Sequence, residues 1–232
     1  MTRVARAASA GYVYHVLNRA VARLPLFQKD GDYEAFERVL SETVQTHPAR
    51  LLAYCLMPNH WHFVVWAGAG GRTHRLRAMA HASAYHALAH PLSYSGKRPC
   101  LSRPLQEFPG ARREHFYQVV RYVERNALRA NLVKRAEDWR WSSLWRRQHP
   151  HAKPLIPLAD WPLPLPPDWL TIVHRPQTEA ELDALRRSVN RDAPYGHIEW
   201  QRVTAARYNL EHTLRPRGRP RKGPTPPLPP SE

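Results

Sequence analysis

Acidic residues are scarce: 19 Asp and Glu stand against 35 Lys and Arg in 232 residues, a formal net charge of +16. Such an excess points to a polyanionic partner, with nucleic acid the first candidate. Cysteine is scarcer still. Cys55 and Cys100 are too few for a disulfide scaffold and suit a reducing compartment. No run approaches the roughly 18 apolar residues of a membrane span, and no charged-then-apolar signal segment opens the chain. The expectation is a cytoplasmic, nucleoid-associated protein with no membrane partner. Hydrophobic residues nonetheless make up 43%, with eight Trp and ten Tyr, which excludes a wholly disordered chain.

Proline is sparse where the fold signal is strong. Seven of the 23 prolines precede residue 150, eight fall from Pro150 to Pro176 and eight lie from Pro194 onward. This division predicts a compact domain over 8–147, a Pro-rich, extended and weakly structured connector over 148–177, and a small helical segment over 178–212. A basic tail over 213–232 cannot build a core and is expected to be disordered. Thr178 and Glu181 have the spacing of a capping box opening a helix to about Val189.

Within the first domain, Gly11 to Asn18 (GYVYHVLN) reads as a strand. Asp30 or Asp32 can cap a helix carrying Tyr33, Phe36, Val39, Leu40 and Val44 at helical spacing. LLAYCLM and HWHFVVWA are two strands joined by the turn dipeptide Pro58-Asn59. Leu76 to Leu88 traces a second helix and Arg113 to Ala130 a third, with Asn131 as its left-handed cap. The order β-α-β-β-α predicts an α+β fold, a ferredoxin-like split βαβ sheet with helices on one face and a Pro-rich C-terminal extension.

His60 and His62 alternate with Trp61 on a strand, so the two imidazoles share one face and can chelate a divalent cation while Trp61 points into the core. Spacing alone is equally compatible with packing. On the third helix Phe116, Val119, Val120, Val123 and Ala127 form an apolar stripe. Tyr122 and Asn126, four apart, project from a neighbouring face. Gln118, Arg125 and Arg129 flank that face, the two arginines as candidate DNA contacts. A tyrosine bracketed by Arg121 and Arg125 is placed to lose its proton during attack on a phosphate, although a half-buried packing aromatic fits the same position. Tyr117, five residues earlier, points to another side of the helix.

Together, YHVLNRAVARLPLF, AYCLMPNHWHFVVW and RYVERNALRANLVKRAEDWRWSSLWRR resemble the REP-associated tyrosine transposases, single-tyrosine members of the HUH nuclease superfamily. The resemblance covers roughly Gly11 to Arg147. It implies that His60 and His62 are metal ligands, that Tyr122 is the nucleophile and that Asn126 completes the metal site, with Mg²⁺ or Mn²⁺ as cofactor. It further implies cleavage and strand transfer on single-stranded DNA with palindromic hairpins, through a 5′-phosphotyrosine, by a monomer or homodimer. A catalytically inactive descendant acting only as a DNA-binding protein would carry the same motifs.

Arg72, Arg75 and Arg77, at the start of the second helix, are candidate phosphate contacts. Trp139, Trp141 and Trp145 are expected to dock the closing segment on the sheet. In the tail, Arg217-Gly218-Arg219-Pro220 is similar to an AT-hook core reading A·T-rich duplex DNA, or equally a generic basic tail. Between the second and third helices the resemblance fails: 94–113 carries Pro99, Pro104 and Pro109, and is expected to be a loop in place of the fourth strand.

Overall fold

β-Branched and aromatic residues build the first strand, β1 (Tyr12–Arg19), which becomes a central strand of an antiparallel sheet. The computed structural model describes residues 12–19, 24–46, 50–66, 100–107, 113–154 and 156–215. After β1 come α1 (Asp30–Thr46), β2 (Arg50–Met57), β3 (His60–Trp66) and β4 (Cys100–Glu107), in the sheet order β2-β3-β1-β4. The third predicted helix follows as α2 (Arg113–Glu124) and a one-turn α3 (Asn126–Arg129). Backbone bonds from Arg125 to Arg121 and from Arg129 to Arg125, both 2.9 Å, keep the two in line. Asn131, at φ 56°, ends the run: its N–H donates to the Leu128 carbonyl and that of Leu132 to Ala127, satisfying otherwise orphaned acceptors. The predicted second helix, Leu76 to Leu88, lies outside the described residues, as do the tail and the flanks of β4.

The α+β class stands, with two differences from expectation. First, 94–113 is not all loop, because β4 occupies Cys100–Glu107 and pairs antiparallel with β1. Its pairing slips on both sides of Tyr14, which faces Pro104. Among the described residues β4 is an edge strand paired with β1 alone, so a proline's missing donor is tolerated there, and the slips absorb its geometry. Second, helices cover both faces of the sheet, not one. α1 buries Tyr33, Phe36, Leu40 and Val44 against Tyr14, Val16, Tyr54, Trp61 and Phe63. α2 buries Phe116, Val119, Val120 and Val123 against Val13, Ala53, Cys55, Met57 and Val64 on the opposite face. The cause is legible in β2, where every residue but Arg50 is buried: a strand apolar on both sides must be covered twice.

The free edge of β2 is closed by the chain beyond α3. Leu56 donates to the Trp141 carbonyl at 2.8 Å and accepts from Trp139 Nε1 at 2.8 Å. The Leu52 carbonyl accepts from Arg147 Nη2 and Trp161 Nε1, and Leu51 accepts from Ala159. These bonds occupy groups that would otherwise recruit another strand. Trp139 and Trp141 therefore dock as expected, Trp141 stacking on Tyr33, whereas Trp145 stacks outside on His149. Ser142 caps α4 (Ser143–Gln148), whose buried Arg146 pairs with buried Glu37 at 3.0 Å.

The Pro-rich connector is more ordered than expected. It runs extended along β2 and then forms α5 (Trp169–His174), whose Trp169 and Val173 join the core under α2. Trp169 Nε1 donates to the fully buried Glu124, which also accepts from Ser143. The capping box of Thr178 and Glu181 opens α6 (Glu179–Arg191), and α7 (Ile198–Arg207) and α8 (Glu211–Leu214) complete the described chain. Among the described residues no helix is long and apolar enough to cross a membrane.

Candidate active site

Strand register assembles the site. Leu17 lies opposite His62 and Arg19 opposite His60, so His15, two residues back along β1, shares their face. Trp61, pointing the other way, is 1% exposed between Phe36 and Phe63 and fixes the strand. The hairpin tip before His60 is held from outside: Leu26 and Phe27 both donate to the Pro58 carbonyl. α2 crosses this same face and lays Tyr122 onto it. The tyrosine ring meets His62 edge-on at 5.8 Å between centroids and His15 at 5.9 Å. His60 and His62 are perpendicular at 4.9 Å. Tyr122 is 7% exposed.

The three imidazoles are neutral at ordinary pH. Burial pushes His15 down to about 4. Burial first, and then the charges of Arg19 and Arg129, pushes His60 down to about 3. Burial and its histidine and arginine neighbours hold His62 well below its usual value. Neutral imidazole is the form that offers a lone pair to a cation.

Arg129 lies over the Tyr122 ring, its guanidinium carbon 4.3 Å from the centroid, and donates from Nη2 to Asn126 Oδ1 at 2.6 Å. Three buried polar atoms around Tyr122 have no hydrogen-bond partner: His62 Nε2, Asn126 Nδ2 and Arg129 Nη1. Unpaired buried polar groups are costly, and a cluster of them marks a place for a ligand. Two are N–H donors suited to an anion. The third is an imidazole nitrogen suited to a cation. The donor set thus fits a divalent ion held by few protein ligands, its other positions left to water or phosphate. Among the described residues no three His, Cys, Asp or Glu converge as a closed metal cage. Asn126 Oδ1, expected on the metal, already accepts from Arg129; a carbonyl oxygen has a second lone pair, so joining the ion requires sharing it.

Arg125 has a partner within the fold. Its Nη1 donates to the carbonyls of Val173 and His174, at 3.1 and 2.7 Å, and beside it Arg121 donates to Arg175 and Pro176. Orphan carbonyls at the C-terminus of α5 carry partial negative charge, so Nη1 of the Arg125 guanidinium is engaged by the fold. Gln118 accepts from Tyr195, and Tyr117 donates to the Pro164 carbonyl, away from the histidines. Arg72, Arg75, Arg77, Arg217 and Arg219 lie outside the described residues. Two residues of the site escaped the sequence reading, His15 and Asn59. His15 sat in a recognised strand, but only the β1–β3 register shows that it meets His62. Asn59, read as turn-forming, accepts from His60 Nδ1 at 2.6 Å.

Two histidines on one strand thus face a tyrosine on a helix across one face of the sheet. Residues 8–85 match the model of the family described as Transposase IS200 like. A solved structure of a REP-associated tyrosine transposase bound to a REP hairpin matches with TM-score 0.51 at 16% identity, over 69% of this chain and 93% of that one. No curated protein matches the chain. The resemblance to the REP-associated tyrosine transposases is borne out.

Proposed function

We propose that this chain is a DNA transposase that cleaves and rejoins single-stranded, hairpin-containing DNA through a 5′-phosphotyrosine on Tyr122. The similarity to IS200-like transposases and the shared fold support the general reading. The observation that carries the finer one is the set of unpaired polar atoms, His62 Nε2, Asn126 Nδ2 and Arg129 Nη1, gathered around a tyrosine.

His60 and His62 would hold Mg²⁺ or Mn²⁺, with Asn126 beside them. When bound, the ion polarises the scissile phosphate and offsets charge in the transition state. The Tyr122 oxygen attacks the phosphorus, its proton passing to solvent, and the bond to the 3′-oxygen breaks. That oxygen takes up a proton and leaves as a free 3′-hydroxyl. The new phosphotyrosine bond is itself a phosphodiester, so a 3′-hydroxyl can later attack it, restoring a DNA linkage and the tyrosine without a nucleotide cofactor. Arg129, over the ring, counters the negative charge gathering between Tyr122 and the phosphate, and its spare N–H suits a phosphate oxygen.

The test is incubation of the full chain with a single-stranded hairpin oligonucleotide and Mn²⁺, followed by a denaturing gel. A covalent protein–DNA band is the expected result. Tight binding without a band would leave a DNA-binding protein that has kept the fold and lost the reaction.

A further inference from the structure

His60 and His62 each have one ring nitrogen tied to a neighbour, and the two ties decide which nitrogen is left to act. For His60 the choice is forced. Asn59 Oδ1, 2.6 Å from His60 Nδ1, can only accept, so Nδ1 carries the proton and Nε2 keeps its lone pair. For His62 the neighbour is another imidazole: His15 Nε2 lies 2.8 Å from His62 Nδ1. The ring planes are within 17° of parallel with centroids 5.0 Å apart, which is the bond length plus two ring radii. The rings therefore lie side by side in nearly one plane, not face to face, and the proton between them sits on the lone-pair axis of both nitrogens.

That shared proton belongs to one ring or the other. Were it on His15, neutral His62 would carry its own proton on Nε2, a buried donor without an acceptor. Were it on His62, Nε2 would be a bare lone pair, matching His60. We infer that His15 is a positioning residue: its Nε2 accepts the Nδ1 proton of His62 and so presents His62 Nε2, like His60 Nε2, as a lone pair facing the reaction site. The inference deepens the metal-ion reading above and rests on it, because Nε2 is unpaired in either tautomer and a cation answers only the lone pair. His15 also touches the Tyr122 ring, so one buried side chain sets the approach of both the nucleophile and its neighbouring ligand. Outer partners of this kind fix ring orientation and tautomer in metal sites, and their loss weakens metal binding.

The experiment uses the full-length, ¹⁵N-labelled protein in EDTA. Long-range ¹H–¹⁵N spectra of the histidine rings, with His62 assigned by its disappearance in His62→Gln, should show His62 protonated on Nδ1. Titration calorimetry with MnCl₂ should then show affinity falling about 10- to 100-fold in His15→Leu. His15→Gln, whose amide oxygen can replace Nε2 as acceptor, should restore most of it. Melting temperatures identify a variant that has lost its fold, and the wild-type spectrum decides the tautomer even if both variants unfold. A proton on His62 Nε2, undiminished Mn²⁺ affinity in His15→Leu, or a folded His15→Gln no better than His15→Leu would overturn the assignment. Wild-type protein that binds no Mn²⁺ but shows the Nδ1 proton would refute the metal site while upholding the role of His15 in setting the ring.

Discussion

Arg129 touches the nucleophile candidate and its neighbour at once: its guanidinium lies 4.3 Å from the Tyr122 ring centroid and its Nη2 donates to Asn126 Oδ1. Arg129→Met keeps the stem and removes the charge. It should slow formation of the covalent adduct on the order of 100-fold, the usual cost of one well-placed donor to a developing anion. Arg129→Lys, a point charge without the planar fork, should recover only part of that. Single-turnover gels give both rates. An unchanged rate in Arg129→Met would remove the arginine from the reaction.

Tyr122→Phe deletes one oxygen and leaves the ring that meets His15, His62 and Arg129. Adduct should vanish while hairpin affinity, read by gel shift, stays within a few-fold of wild type. Adduct persisting in this variant would point to another nucleophile.

The two sides of β3 should respond differently to truncation. Trp61, 1% exposed among Phe36 and Phe63, should cost about 3–5 kcal/mol on replacement by Ala. His60→Ala, at the rim of the same strand, should leave the urea midpoint close to wild type and abolish cleavage. Equal stability losses in the two variants would contradict the division of the strand into a structural and a chemical face.

Acid should destabilise the metal-free protein over a defined range. The ordinary histidine value is 6.5, whereas burial holds His15 at about 4 and His60 at about 3 in the folded chain. Below pH 6.5 the unfolded chain takes up protons that the native one refuses. Their stabilising contribution is thus complete above 6.5 and is lost as pH falls toward 4 and 3. His15→Gln removes one of these protons and should flatten the slope of unfolding free energy against pH between 6.5 and 4. Urea titrations in EDTA at constant ionic strength measure this, and identical slopes would refute it.

Local signals were legible in the sequence wherever a few neighbouring residues decide the outcome. Asn131 ends its helix and Thr178 with Glu181 begins another as their spacing indicates. The face shared by His60 and His62 follows from strand alternation alone. What failed was everything set by sheet position. Pro104 argues against a central strand, yet β4 is an edge, and no local pattern distinguishes the two. His15 meets His62 through a pairing register between segments 47 residues apart. The acceptors of Arg125, the carbonyls of Val173 and His174, lie almost fifty residues downstream, beyond the reach of any local pattern.

Those downstream carbonyls bear on how copies of such a gene decay. The recognisable motifs end with the segment closing at residue 147, but Arg121 and Arg125 on the tyrosine helix are satisfied by residues 173 to 176, and Glu124 by Trp169. A premature stop after residue 147 would spare His15, His60, His62, Tyr122 and Asn126. It would also strip Trp169 and Val173 from beneath the helix and leave two guanidiniums and a carboxylate without those partners. A genome survey scoring motifs alone would count that truncated copy as intact, although the helix that carries Tyr122 would have lost the packing and partners supplied from beyond residue 147.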